Sequence, residues 1–360
     1  MLRHKTIWIR RISVMLIASV SVIANAQNSS PNNTAAQAES ELPVTQKSLR
    51  TLIDTGHPDQ ALRQVADLRA AGKVMPGLNL IEGLADYAKG SLKPAEIAFT
   101  SALMENPKDE EATQMRALTL FRLGRPAEAI PLLESVSAKS QEGPTVGKAD
   151  PNYILALCYM DTRRYDDARH AFAAQYGLAP DGAGAYLLSA RMLFRREYVP
   201  VAREFAEKAV TLDSNIPLAH ELLGEIALAG NLMDEAIVEL EKEKTRNPME
   251  PSIYDRLGDA YYRAGNYDKA LRTLQQAVLL APNSTGAYIL LGKTLLKKTD
   301  PVGAATYLER ARQLDSSNFM THNLLGQAYR AMGRREDAAR ETETAQKLQA
   351  ASEPKLENSN

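Results

Sequence analysis

The amino-acid sequence predicts an all-α fold, a solenoid of about nine stacked helix-turn-helix units, on two observations. The first is a spacing of 34 residues between Leu-Gly pairs, which begin at Leu223, Leu257, Leu291 and Leu325. One alanine follows the same spacing with a single exception, at Ala61, Ala95, Ala129, Ala168, Ala202, Ala236, Ala270, Ala304 and Ala338. The second observation is that apolar residues within each period recur at helical spacing in two blocks, with a turn between them.

The period divides the chain into nine copies, which begin at residues 42, 76, 110, 149, 183, 217, 251, 285 and 319. We number the places of each copy from its first residue. Between Ala129 and Ala168 the step is 39 residues instead of 34, so five extra residues lie near 138–150. The predicted solenoid therefore spans residues 42–350.

Residues 252–282 show the two helices of one copy most clearly. The first helix carries apolar or small residues at i, i+3, i+4 and i+7, which are Tyr254, Leu257, Gly258 and Tyr261. Gly265 and Asn266 form the predicted turn. The second helix carries Ala270, Leu274 and Ala277, and Pro282 follows its end.

This pattern resembles the tetratricopeptide repeat family, whose unit is a 34-residue helical hairpin. In that family small residues let the two helices approach closely. The matching place here, place eight, holds Gly83, Ala117, Ala156, Ala190, Gly224, Gly258, Gly292 and Gly326. Place four usually holds an aromatic residue, and His220 and His322 stand there in two copies.

The resemblance implies a right-handed superhelix in which the first helices line a concave groove and the second helices form the outer face. The first copy departs from the pattern, since Leu49 replaces the small residue and Pro43 precedes its helix. In the ninth copy Thr342 stands where a large apolar residue is usual. We expect these two copies to cap the array.

The same resemblance identifies the candidate binding residues, because places two, five, nine and twelve of each copy face the groove in the family. The middle copies supply an apolar stripe with one arginine: Leu80, Leu84, Tyr87, Leu118, Phe121, Tyr153, Leu157, Met160, Leu187, Arg191 and Phe194. The sixth and seventh copies supply four acids and a tyrosine: Glu221, Glu225, Asp255, Asp259 and Tyr262. The last copies supply Lys293, Asn323, Gln327 and Arg330.

The first 26 residues are typical of a secretory signal peptide. Four basic residues precede an apolar run at 12–24, which is shorter than the roughly 20 residues of a membrane-spanning helix. Ala24 and Ala26 suit a signal peptidase, so cleavage is predicted after Ala26. We expect an exported chain, periplasmic or secreted, with no membrane span after cleavage.

The mature chain is mildly acidic, with polar ends. Cleavage leaves 39 basic and 44 acidic residues, a balance that does not favour a nucleic-acid partner. Residues 27–41 and 351–360 are predicted to be disordered. Cys158 is the only cysteine, so no disulfide forms within the chain, and its apolar helical surroundings predict a buried thiol.

Residues 286–294, GAYILLGKT, resemble a phosphate-binding loop, but five residues separate the two glycines where that motif has four. Gly292 is also the periodic small residue inside a predicted helix, so its N–H group is committed to that helix. The histidines show no metal-ligand spacing, and no nucleophile motif occurs. No enzymatic activity, metal or cofactor is expected.

These features predict a non-enzymatic scaffold that binds a protein or peptide segment in the concave groove. The expected partner has apolar anchors for the stripe and Lys or Arg residues for the four acids. Two alternatives stay open: a component of a cell-envelope assembly or polysaccharide export complex, and a self-assembling structural solenoid. The oligomeric state is open as well.

Overall fold

The computed structural model of the protein describes residues 44–73, 75–139 and 151–352. The predicted signal peptide and leader lie outside the described residues, as do positions 140–150 of the insertion and the last eight residues. The described ranges contain eighteen α-helices and no strand, which confirms the all-α prediction.

The helices form nine consecutive hairpins. In chain order they are α1 (Gln46–Asp54), α2 (Pro58–Ala70), α3 (Leu78–Lys89), α4 (Leu92–Glu105), α5 (Glu110–Arg122), α6 (Pro126–Lys139), α7 (Pro151–Asp161), α8 (Tyr165–Tyr176), α9 (Ala183–Arg195), α10 (Val199–Leu212), α11 (Ala219–Ala229), α12 (Met233–Arg246), α13 (Pro251–Arg263), α14 (Tyr267–Leu280), α15 (Thr285–Lys297), α16 (Pro301–Leu314), α17 (Phe319–Ala331) and α18 (Arg335–Ser352). Odd-numbered helices are the first helices of the copies, and even-numbered helices are the second.

The packing order explains the curvature of the array. Each helix packs against the next one in the chain, and most first helices also pack against the first helix of the following copy. Consecutive second helices of the described residues do not pack closely on one another. Because the first helices are closer together, they lie on the inner, concave side. The pair α7 and α9 is the exception, since these two first helices are not in close contact.

Place eight sets the distance between the two helices of a hairpin. A Cβ atom added to Gly224 would lie 2.6 Å from Leu240 Cγ, and one added to Gly83 would lie 2.6 Å from the Phe99 ring. Leu240 and Phe99 both occupy place twenty-four, on the second helix, and both are fully buried. The glycines therefore allow a helix contact that a larger residue would prevent, as the sequence pattern predicts.

Place fifteen ends the first helix with a left-handed backbone in all nine copies. Glycine stands there in five of them, at Gly56, Gly90, Gly124, Gly265 and Gly333. The other four copies put a residue with a side chain into the same conformation: Arg163, Glu197, Asn231 and Thr299. Such residues pay about 1–2 kcal/mol in this region of backbone space, so the turn geometry is imposed by the packed helices around it.

Places four and twenty-three meet across the hairpin in four copies and carry two kinds of pair. Tyr186 and Phe205 form an edge-to-face contact with ring centroids 5.3 Å apart. In the last copy His322 Nδ1 instead lies 2.6 Å from Glu341 Oε2, and both side chains are buried. The sixth copy repeats this arrangement, with His220 Nδ1 2.5 Å from Glu239 Oε2. In these two copies histidine therefore stands at place four instead of tyrosine, and glutamate stands at place twenty-three instead of an aromatic residue.

Cys158 is fully buried in the core around α7. Burial raises the pKa of the thiol to about 12, with a smaller contribution from Asp161. A thiol with this pKa is almost entirely protonated at neutral pH and is a poor nucleophile. The prediction that the Cys158 thiol is buried is confirmed.

Candidate functional site

The concave surface is built from the first helices, and the structure sorts the predicted groove residues by exposure. Most of them are half-buried: Leu84, Tyr87, Leu118, Phe121, Tyr153, Leu187, Arg191, Phe194, Glu225, Asp255, Asp259, Tyr262 and Lys293. Three near the C-terminal end are exposed: Asn323, Gln327 and Arg330. Four are buried: Leu80, Leu157, Met160 and Glu221.

The buried members are corrections to the predicted site. Met160 is fully buried, and Leu157 and Leu80 are each 7% exposed. They belong to the cores between neighbouring hairpins, because the tight winding of the array presses these places against the next copy. A place number taken from the family fixes the helix face, but the depth of that face depends on local winding.

The remaining apolar stripe lies on α3 to α9. Phe121, Tyr153 and Phe194 pack one side against the largest core cluster and leave the rest of each ring accessible. The edge of the Tyr153 ring meets Phe172 with centroids 5.9 Å apart, which fixes its orientation. Half-buried aromatic rings with fixed orientation suit the anchor positions of a binding surface.

An ion pair links copies across the N-terminal part of the groove. Arg50 on α1 pairs with Glu111 on α5, although α3 lies between these two helices in the array. Nearby, the Arg122 guanidinium stacks over the Tyr87 ring, 4.5 Å from its centroid.

Two of the four predicted acids share one arginine as their ion-pair partner within the protein. Arg256, on the next first helix, forms an ion pair with Glu221, whose Oε1 lies 2.8 Å from Arg256 Nη1, and pairs with Glu225 through its other terminal nitrogen. Ser252 Oγ also donates to Glu221, at 2.8 Å. Glu221 is only 4% exposed, so this carboxylate is part of the contact between α11 and α13 and is not free to meet a partner.

The other two acids lie on α13 and differ in their surroundings. Asp259 has Arg263 at 3.6 Å, one helical turn away. Asp255 accepts a hydrogen bond from Ser284 Oγ at 3.1 Å, and its Oδ1 is buried without a hydrogen-bond partner. Burial raises the pKa of Asp255, partly offset by the Ser284 hydrogen bond and the charge of Arg256. Asp255 is therefore the one member of the four with no ion-pair partner among the described residues.

Arg191 on α9 is the cation that interrupts the apolar stripe. It is half-buried, its Nη2 atom is buried without a hydrogen-bond partner, and it forms no ion pair with any residue that the structure describes. Leu187 and Phe194 share its helix face. A guanidinium in such surroundings is a natural receptor for a carboxylate.

The glycine-lysine-threonine ending at 292–294 lies inside α15. Gly292 faces Leu308, and Thr294 is buried with its hydroxyl donating to Leu290 O at 2.6 Å. The Lys293 ammonium stands over the Tyr262 ring, 4.7 Å from the centroid. The residues that mimic a nucleotide motif are thus helical, and their N–H groups are not arranged as a loop around an anion.

Sequence reasoning missed Arg256 and Arg50, the cations that pair with groove acids. Arg256 could have been found by asking which basic residues lie within one copy of an acid along the first helices, whereas Arg50 pairs with an acid two copies away. Arg256 occupies place six, which the groove rule of the family does not include. Its long side chain nevertheless reaches back to the preceding copy.

Two further properties bear on function. No group of three or more metal-ligating side chains comes together in the described part of the chain. Among the helices that the structure describes, none combines the length and apolar character that crossing a bilayer requires.

The stacked hairpins and the groove along their inner side define a helical repeat protein of the solenoid class. The family model described as tetratricopeptide repeat matches residues 153–217 and 256–319. A second model, described as anaphase-promoting complex, cyclosome, subunit 3, matches residues 88–175. The chain belongs to the tetratricopeptide repeat family, as its 34-residue period predicts.

Curated relatives match only with part of their length. The chain is 26% identical over 181 residues to anaphase-promoting complex subunit cut9 of Schizosaccharomyces pombe, which covers 44% of this chain and 27% of the relative. It is 23% identical over 246 residues to mouse superkiller complex protein 3, covering 65% of this chain and 15% of the relative. It is 25% identical over 185 residues to human protein O-mannosyl-transferase TMTC1, covering 49% and 21%.

Solved structures of similar fold include YrrB, titled a TPR protein with an unusual peptide-binding site, at 23% identity and a TM-score of 0.45. That match covers 51% of this chain and 95% of YrrB. The Cut9–Hcn1 hetero-tetramer of the APC/C matches at 17% identity and a TM-score of 0.43, covering 78% of this chain and 54% of that one. A crystal structure of MamA matches at 20% identity and a TM-score of 0.43, covering 45% and 95%.

Proposed function

We propose that the protein is an exported, non-enzymatic scaffold that binds a segment of a partner protein in its concave groove. The observation that carries this proposal is the row of half-buried apolar side chains on α3 to α9, above all Phe121, Tyr153 and Phe194. Exposed apolar surface that follows one inner face of a solenoid is typical of a protein-interaction site.

Membership of the tetratricopeptide repeat family supports this proposal, because these repeats in general mediate protein–protein interactions. Leucines lie between the aromatic rings over much of the stripe, at Leu84, Leu118 and Leu187, and the polar side chains among them are arginines. A sugar would leave hydroxyl groups unpaired on such a surface. A peptide with apolar side chains fits it better than a glycan does.

Site-specific photo-crosslinking tests the groove. A photoreactive residue at Phe121 or Phe194 should form adducts that map to one segment of one partner. The same residue at Ile97, which is 68% exposed on the second helix α4, is the matched control on the outer face. Equal labelling from Ile97, or adducts from Ile97 alone, would place the interaction outside the groove.

The aromatic anchors should dominate affinity for the partner so identified. We predict that Phe194→Ala weakens binding by at least roughly tenfold, because a central aromatic anchor contributes on the order of 2 kcal/mol. Ile97→Ala should leave affinity unchanged. Isothermal titration of both variants with the cross-linked segment gives the comparison, and equal affinities would contradict the role of Phe194.

Export is a separate part of the proposal, supported by the basic and apolar pattern of residues 1–26. Trp8 is the only tryptophan of the chain, so cleavage after Ala26 would leave a protein with tyrosine emission alone. Fluorescence and intact mass of the protein from its native fraction decide between the two forms. Tryptophan emission with the mass of the whole chain would show that the segment is retained.

A further inference from the structure

On the first helices from α9 to α13, two opposite charges at groove places lack an ionic partner among the described residues, and they are two copies apart. Arg191 on α9 and Asp255 on α13 form no ion pair with any described residue, and each has one polar atom buried without a hydrogen bond. On α11, between them, Glu221 and Glu225 are both bound to Arg256. Along this stretch the groove therefore carries one cation and one acid that have no ion-pair partner among the described residues.

Charges without an ion-pair partner at half-buried positions are unfavourable, because the protein removes part of their hydration and replaces it with no direct contact to an opposite charge. The raised pKa of Asp255, caused first by burial, is a sign of that cost. A ligand that brings an opposite charge to each group removes the cost, whereas a ligand with the reverse order of charges adds to it. The pair thus selects among peptides that the apolar stripe alone would accept.

We propose that the partner is an extended peptide that places an acidic side chain against Arg191 and a basic side chain against Asp255. This inference rests on the proposed function of the groove. It replaces the expected contact of four acids with a Lys- or Arg-rich segment, because only Asp255 of those acids has no ionic partner in the part of the chain that the structure describes. Arg191 supplies the second point of recognition.

The helix packing sets the spacing of the two charged residues in the peptide. α9 packs on α11, and α11 packs on α13. Axes of packed helices are about 8–10 Å apart, so the two groups are separated by roughly 16–20 Å across the copies. An extended chain advances about 3.3 Å per residue, which corresponds to roughly five or six residues.

The apolar stripe sets the side on which the anchors lie. Leu187 and Phe194 share the helix of Arg191, and Phe121 lies further toward the N-terminal copies. The apolar residues of the peptide should therefore lie next to its acidic residue and on the side away from its basic residue. The expected pattern is apolar anchors, an acid, roughly five or six residues, and then Lys or Arg, in one of the two chain directions.

Selection from a random peptide library tests the pattern. A phage library of unconstrained peptides is panned on the immobilised full chain and on Arg191→Glu, Asp255→Lys, Arg191→Gln and Asp255→Asn. Glu207→Lys, an exposed charge reversal on α10, is the matched control. Far-ultraviolet circular dichroism and thermal melts establish which variants are folded, and the neutral variants stand in if a reversal does not fold.

The wild-type chain and Glu207→Lys should enrich peptides with the acid and base at the stated spacing by about tenfold over the reverse order of charges. Arg191→Glu should turn the selected acid into a base, and Asp255→Lys should turn the selected base into an acid. The neutral variants should each lose selection at one position only. Peptides enriched without this pattern, or unchanged by the reversals, would overturn the inference while leaving the groove proposal in place. Absence of any enriched peptide on the folded wild-type chain would overturn both.

Discussion

At the scale of single residues, two glycines of α15 have opposite roles. Gly292 is buried, and a Cβ atom there would lie 2.7 Å from Leu308 Cδ2 on the neighbouring helix. Gly286 lies one and a half turns earlier in the same helix, with no atom within 4 Å of an added Cβ. The first glycine is required for helix contact, and the second is a weak helix former at an exposed position.

These surroundings predict opposite effects of one substitution. Gly292→Ala should lower stability by about 1–3 kcal/mol, because buried Leu308 has no space to move into. Gly286→Ala should raise stability by up to about 1 kcal/mol through helix propensity. Urea unfolding followed by circular dichroism measures both. A harmless Gly292→Ala would contradict the role assigned to place eight.

Thr299 offers a second residue-scale comparison. It is β-branched and has a φ of 57°, in the left-handed region. Five other copies have glycine at this place. Thr299→Gly should raise stability by up to about 1 kcal/mol, the left-handed penalty less the entropy of glycine. Thr306→Gly, in the exposed interior of α16, should lower stability by a similar amount. Melting temperatures that shift in the same direction for Thr299→Gly and Thr306→Gly would contradict this account.

At the scale of elements, the His–Glu pairs within hairpins predict a pH-dependent contribution to stability. Burial acts to raise the pKa of Glu239, but hydrogen bonds from Lys242 and His220 more than offset this, and the pKa of Glu239 lies below its ordinary value. A carboxylate with a lowered folded pKa stabilises the protein above the unfolded value of about 4.3, and this contribution is lost as the pH falls through the folded pKa.

Glu239→Gln should therefore destabilise the protein at pH 7 by about 1–3 kcal/mol, since it removes charge-assisted hydrogen bonds. The difference from wild type should shrink as the pH falls below about 4. Unfolding midpoints at several pH values give the comparison, with Glu207→Gln on exposed surface as the control. A difference that stays constant with pH would show that the pair contributes through packing alone.

The elements also show how far sequence reasoning reaches. The 34-residue period predicts the nine hairpins because small and large residues must alternate at fixed places wherever helices stack. The turn at place fifteen was recognised at Gly265 but not at Arg163 or Thr299, since the neighbouring helices impose a backbone that those side chains do not favour. The groove face followed from place numbers. The burial of Met160 and Glu221 did not, because it depends on contacts between copies.

At the scale of the whole molecule, stability is a sum of contacts between neighbouring copies. The apolar face of a copy at the end of such an array is exposed to solvent unless another element covers it. The last core cluster includes Leu325 and Tyr329 of α17 together with Ala338 of α18. α18 is the longest helix that the structure describes, and most of its outer side is exposed. It covers the apolar face of α17.

A chain that ends at Arg334 should therefore unfold its last copy and expose this cluster. We expect a lower melting temperature, increased binding of an apolar dye and a tendency to aggregate, seen by light scattering. A chain that ends at Ser352 keeps α18 and is the matched control. Equal melting temperatures for the two chains would show that α17 is stable without its cap.

The resemblance of 286–294 to a nucleotide motif has a cause in the repeat itself. Place eight must be small, place nine points into the groove and tolerates lysine, and place ten is a threonine whose hydroxyl is satisfied by its own helix. Three unrelated packing requirements thus produce the residues Gly-Lys-Thr, which phosphate-binding loops use to bind a nucleotide. Pattern searches across helical repeat proteins will keep returning such false nucleotide sites. Whether a periodic alanine or glycine recurs one repeat length away is a quick criterion for rejecting them.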